Sequence, residues 1–89
     1  MSKIDDLINA DEKTYILVAR DTTARYAMCC IDQGCGVFNV RDGYLTAKEV
    51  WDVLQDTYKE LCIPISYRGN EYIVTKDFYK ALKEVIENG

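Results

Sequence analysis

Leu45-Thr-Ala-Lys-Glu-Val-Trp-Asp-Val-Leu-Gln-Asp-Thr-Tyr-Lys-Glu-Leu-Cys62 carries the strongest helical signal in the chain and holds its single tryptophan, Trp51. Thr46 followed by Glu49 forms a capping box, in which each side chain satisfies a backbone N–H at the helix start, and Leu45 is placed to staple onto Val50. Ala47, Val50, Trp51, Leu54, Tyr58, Leu61 and Cys62 fall on one face of a 3.6-residue period, and Lys48, Asp52, Gln55, Asp56, Lys59 and Glu60 take the other. Pro64 biases Ile63 away from the helical region. The pattern predicts one long helix over 46–62 as the element the rest of the chain packs against.

Downstream of it, Ile65-Ser-Tyr-Arg68 and Glu71-Tyr-Ile-Val74 flank Gly69-Asn70, which reads as a two-residue hairpin loop of the II′ kind. That loop would pair Arg68 with Glu71, Tyr67 with Tyr72, Ser66 with Ile73 and Ile65 with Val74. Ile65, Tyr67, Tyr72 and Val74 then share one face. Thr75 is placed to cap a closing helix whose stripe is Phe78, Ala81, Leu82, Val85 and Ile86.

Upstream, Ser2 to Asn9 reads as a short helix with Ile4, Leu7 and Ile8 on one side and Asp5 and Asp6 where the helix dipole favours them. Tyr15 to Ala19, Arg25 to Ile31 and Val37 to Val40 read as three strands. They are separated by a turn at Asp21-Thr22-Thr23 and by a hairpin loop at Gln33-Gly-Cys-Gly36, whose glycines supply positive φ. Asp42-Gly43 closes the third strand. The fold class expected is α+β, a single small domain over 1–89 in the order α-β-β-β-α-β-β-α. In it an antiparallel meander and a C-terminal hairpin pack against the long helix.

Composition narrows function more by exclusion than by signature. Eighty-nine residues suit one domain, burying a little over ~60% of the unfolded surface, and no apolar run or leader pattern suggests a membrane or secretion, so a cytoplasmic protein is expected. Fifteen acidic residues against eleven basic ones give a net charge of −4, which opposes attraction to a phosphate backbone. The chain has no histidine, which removes the commonest general base and metal ligand together. With serine present only as Ser2 and Ser66, a Ser-His-Asp arrangement is impossible. Cys29, Cys30, Cys35 and Cys62 lack zinc-site spacing, since adjacent Cys29 and Cys30 would point to opposite faces of a strand. No metal and no cofactor are expected. Cys35, in a Gly-Cys-Gly loop expected to be exposed, is the candidate reactive thiol. Gly34 and Gly36 lack the third glycine and the strand-to-helix context of a nucleotide loop, and Asp32 and Asp42 fit no calcium loop.

The excess is in tyrosine. Seven of 89 residues are more than a small core holds easily, because each hydroxyl needs a partner or water. Tyrosine and arginine are enriched where one protein grips another, so Tyr44, Tyr67, Arg68, Tyr72 and Tyr79 form the expected binding set. Val53 and Thr57, which widen the stripe beside Val50, are an expected docking strip or a cover for the first helix.

Leu45-Thr-Ala-Lys-Glu-Val, Ile63-Pro64, Tyr67-Arg68-Gly69, Tyr72 and the closing helix resemble, over about half the chain, the small winged helix-turn-helix domains of phage excisionases. The resemblance implies DNA binding. This chain departs from it in being acidic and in leaving no room for a recognition helix between Val50 and Ile63. The leading expectation is therefore a non-enzymatic interaction protein with a protein partner, of the kind by which phage or mobile elements inhibit a host enzyme or defence complex; self-association is open. A small-ligand or nucleotide binder using Arg20, Arg25, Arg41 and Arg68 is the alternative, and a winged-helix-like DNA-binding accessory protein comes third.

Overall fold

The computed structural model describes residues 3–16, 20–41 and 43–88. Its elements are α1 (Lys3–Asp11), β1 (Glu12–Ile16), α2 (Arg20–Asp32), β2 (Val37–Arg41), α3 (Ala47–Val53), α4 (Asp56–Leu61), β3 (Cys62–Tyr67), β4 (Asn70–Thr75) and α5 (Lys76–Asn88). One mixed sheet has the order β1-β2-β4-β3, with β1 parallel to β2 and β4 antiparallel to both its neighbours. The α+β class holds. The order of elements is α-β-α-β-α-α-β-β-α, and the expected antiparallel meander is a parallel β1-α2-β2 crossover.

The stretch expected as a second strand, Arg25 to Ile31, lies inside α2. Its alternation carried no information, because both alternating sets, Tyr26/Met28/Cys30 and Ala27/Cys29/Ile31, are apolar. Among the described side chains of α2 the buried positions are Thr23, Ala24, Ala27 and Cys30, a helical stripe of small residues that lets α2 lie close on the sheet. The helix ends in a Schellman motif: Cys35 N–H donates to the Cys30 carbonyl (2.9 Å) and Gly34 N–H to that of Ile31 (3.0 Å), with Gly34 at φ +83. Of the two glycines expected at positive φ, Gly34 adopts it, serving a helix end and not a hairpin, and Gly36 does not. The first strand begins earlier than expected, at Glu12; residues 17–19 and 42, part of two expected features, lie outside the described residues.

The long helix is two helices. Thr46 caps α3 through the expected box with Glu49, but Leu54 turns to extended backbone (ψ 150), and α4 starts afresh behind Gln55. β3 begins at Cys62 directly after α4, with no connecting residue. The chain must therefore have turned before Cys62, and the break at 54–55 supplies that turn while Leu54 stays buried. Trp51 sits at the bend, donating from Nε1 to the Cys62 carbonyl (3.2 Å) under the Lys59 ammonium (5.4 Å from the ring).

Alternation along the two central strands divides the interior in two. Phe38 and Val40 of β2 with Ile73 of β4 meet Ala27, Cys30, Val50 and Leu54 from α2, α3 and the bend. Val37 with Tyr72 and Val74 meet Ile8 of α1 and Leu82 of α5 on the other face. The face expected of the hairpin survives a change of register. Its turn is Arg68-Gly69, both at positive φ (51 and 80), the mark of a type I′ turn, so Tyr67 pairs with Asn70 and Ile65 with Tyr72. Each partner has moved by two residues relative to the expectation. That preserves parity, and Ile65, Tyr67, Tyr72 and Val74 still share a face. Phe78 N–H donates to Thr75 Oγ1 (3.2 Å), so α5 is capped as expected, although Ile86 of its expected stripe is exposed.

Candidate binding surface at the hairpin end of the sheet

β2 ends at Arg41 beside the start of β4, because Val40 pairs with Glu71. The Arg68-Gly69 turn lies at the same end of the sheet, where Tyr67 pairs with Asn70. The segment from β2 to α3 leaves and returns there too, since the Ala47 N–H at the start of α3 donates to Glu71 Oε2 (3.2 Å). Topology therefore gathers Arg41, Tyr44, Tyr67, Arg68 and Asn70 at one end. Tyr44 is 80% exposed, and the side chains of Arg68 and Arg41 are 64% and 52% exposed.

Each arginine is held from below by a largely buried carboxylate. Asp5 of α1 pairs with Arg68 (3.0 Å) and accepts the Tyr67 hydroxyl (3.0 Å), while the Arg68 guanidinium lies 5.5 Å from the Tyr67 ring centre. Glu12 lies 3.7 Å from Arg41 and accepts from Asn39 Nδ2 (2.9 Å) and Thr14 Oγ1 (2.7 Å). Burial pushes the Glu12 carboxyl up, but the Asn39 and Thr14 hydrogen bonds and the Arg41 charge outweigh it and hold the carboxyl below its ordinary value. Asn39 is itself fully buried, and its amide is oriented by Glu12, which leaves Oδ1 without a protein partner. A guanidinium has five N–H donors. One anchoring carboxylate each orients Arg41 and Arg68 while leaving donors for a partner.

Five of the expected site residues are corrected. Tyr72 is 3% exposed and belongs to the core between α1, α5 and the sheet, where burial pushes its phenol up. Tyr79 packs on the same core, with the Lys83 ammonium 5.4 Å from its ring, because α5 is rotated so that its stripe includes position 79. Val53 and Thr57 fall on separate helices on either side of the bend, so no strip joins them, and α1, which they were expected to cover, lies on the opposite face of the sheet. Cys35 is 8% exposed, because a Schellman motif folds this position back onto the helix where a hairpin loop would present it. The exposed thiol is Cys29.

Tyr44, Tyr67 and Arg68 remain together, and Arg41 joins them. Asp5 and Glu12, which aim the arginines, carry no sequence signal of that role, because they reach them across α1–hairpin and β1–β2 contacts. Arg25 is on the exposed face of α2 and does not join the set; the Arg20 side chain lies outside the described residues. Among the described residues no three His, Cys, Asp or Glu side chains are grouped as a metal site, and no helix is long and apolar enough to cross a membrane.

The bend at Leu54 also alters the comparison with winged helix-turn-helix domains. A short helix, α4, does stand between α3 and the hairpin, contrary to the expectation that no room existed for one. It is six residues long, and its exposed side chains include Asp56 and Glu60. Comparison of the chain with known protein families, with characterised proteins and with solved structures finds no match.

Proposed function

We propose that this chain is a non-catalytic interaction module that grips a protein partner through the hairpin end of its sheet. The observation that carries the reading is Arg68, a non-glycine residue held at φ 51 at the tip of the turn. Left-handed backbone disfavours an L side chain, and asparagine is the residue a type I′ turn prefers there. A strained residue of this kind is a marker of functional surface when its side chain is displayed. Arg68 is displayed beside Tyr67, Arg41 and Tyr44, the residue types that dominate protein interfaces. A cytoplasmic inhibitor of a larger enzyme or defence complex fits a small acidic module with one such end.

The test is affinity capture from bacterial lysate, run in parallel with wild-type chain and with a Tyr44→Ala/Arg68→Ala variant of unchanged circular dichroism. The reading expects a stoichiometric protein held by the wild type and released from the variant. No such protein, or equal capture by both, overturns it.

The same pair of arginines beside an exposed ring favours a second reading, a small anionic ligand such as a nucleotide stacked on Tyr44. Native mass spectrometry of the purified chain distinguishes the two, since that reading expects a retained small mass. The α3–α4 bend followed by a hairpin keeps a DNA-binding accessory role as a third reading, against which the acidic face of α4 and the net charge weigh.

A further inference from the structure

We propose that Cys30 and Cys35 form a redox-closable dithiol, which a low-molecular-weight disulfide such as oxidised glutathione converts into an internal disulfide. The pair is built by the helix end. In a Schellman motif the residue at the 6 position folds back over the residue at the 1 position, and apolar side chains commonly meet there. Here those two positions are Cys35 and Cys30, tied by the 2.9 Å backbone hydrogen bond. Both side chains belong to the core under α2 and α3. A 6→1 backbone bond brings two α-carbons into the range a disulfide spans, about 4.4–6.8 Å.

The two thiols differ in access. Cys30 is 1% exposed and donates to the Val37 carbonyl (3.6 Å); burial, with Cys35 beside it, pushes its thiol up to about 12. Cys35 lines a groove of about 280 Å³ between Ile31, Leu61 and Thr75. The chemistry follows from that difference. The Cys35 thiolate attacks the external disulfide, forming a mixed disulfide and releasing one thiol. Cys30 then gives up its proton and attacks the Cys35 sulfur, releasing the second thiol. The chain loses two electrons and two protons, and the external disulfide becomes two thiols. Since the resolving thiol is the more deeply buried of the two, the second step is the slower. This pair flanks the start of β2 and the proposed gripping surface lies at its end, so either proposal can fail alone.

The test uses a Cys29→Ser chain, which removes the exposed thiol, incubated natively with oxidised glutathione and read by intact mass and peptide mapping. The expected end product is lighter by two hydrogens, links Cys30 to Cys35, retains no glutathione, and is restored by dithiothreitol. A Cys29→Ser/Cys30→Ser chain is expected to stop at one glutathione on Cys35. The proposal is overturned if the Cys29→Ser chain stays fully reduced under conditions that glutathionylate Cys29 completely in the wild type, if it ends as a stable glutathione adduct, or if the link involves Cys62. The deciding readout needs only the exposed-site substitution, so misfolding of the double variant leaves it intact.

Discussion

Glu71 on β4 accepts the N–H of Ala47 at 3.2 Å, so the hairpin strand caps a helix 24 residues before it in sequence. Thr46 caps a different donor of the same helix, the Glu49 N–H, also at 3.2 Å. A helix start leaves four N–H groups without intrahelical partners, and the two caps divide the work.

Thr46→Ala is expected to cost on the order of 1 kcal/mol, and Glu71→Ala a similar amount, about 0.5–1.5 kcal/mol, from one lost hydrogen bond. Glu71→Gln, which keeps an acceptor, should cost less. Because the caps serve separate N–H groups, the double variant should approach the sum. Urea denaturation of the four proteins checks this, and a Glu71→Ala chain as stable as wild type would show the long-range cap to be idle.

Gly36 has no room for a side chain. Its N–H donates to the Asp11 carboxylate, and a Cβ there would meet that carboxylate and the Phe78 ring carbon at 2.8 Å. The Asp11 side chain can swing away, but Phe78 is packed on the core between α1 and α5. Gly36→Ala is therefore expected to destabilise by roughly 1–3 kcal/mol through overpacking. An unchanged urea midpoint would contradict the close approach of α1, α5 and this turn.

Arg68→Asn replaces a strained residue by the one its turn prefers. It also removes the ion pair with Asp5, which at this exposure is worth only about 0.2–1 kcal/mol. The two effects oppose each other, so the fold should be as stable as wild type or somewhat more so while partner capture falls. Thermal melting separates this from a purely structural role for Arg68, in which the variant would melt clearly lower.

Tyr44→Ala and Tyr72→Ala should part company. Tyr44 is 80% exposed, so its truncation is expected to change stability by no more than about 0.5 kcal/mol. Tyr72 is buried, and removing its ring should cost about 3–5 kcal/mol, as for other core aromatics. Circular dichroism melts decide it.

Stability should fall on the alkaline side. Burial pushes the Cys62 thiol up to about 11 and the Cys30 thiol to about 12, from an ordinary 9.0. A raised folded value means that the unfolded chain loses its proton first. The contribution is therefore complete below pH 9.0 and is lost as pH rises toward 11 and 12, at up to about 1.4 kcal/mol per pH unit for each thiol. Cys62→Ala should flatten part of that slope in urea midpoints measured across this window. An identical slope in the variant would exclude Cys62 as a source.

Local signals carried a good part of the fold. The Thr46/Glu49 box, the Thr75 cap, the first and last helices and the shared face of Ile65, Tyr67, Tyr72 and Val74 were all legible, because each depends on residues within a few positions of one another. The Arg25 to Ile31 stretch was not, since an apolar run of small residues reads equally as strand or helix until its partner is known. The bend at Leu54 was equally invisible, because the 3.6-residue stripe continues through it.

By itself, then, the sequence determined the α+β class, the capped helix starts, the hairpin's inner face and the tyrosine and arginine content from which a binding surface can be made. Tertiary structure alone decided which of those tyrosines remain on the surface. Packing of α1 and α5 on the sheet buried Tyr72 and drew in Tyr79, while strand order carried Arg41, Tyr44, Tyr67 and Arg68 to one end. The physical reason is that exposure and convergence come from contacts between distant segments, such as Asp5 with Arg68 and Glu12 with Arg41, which no local period encodes.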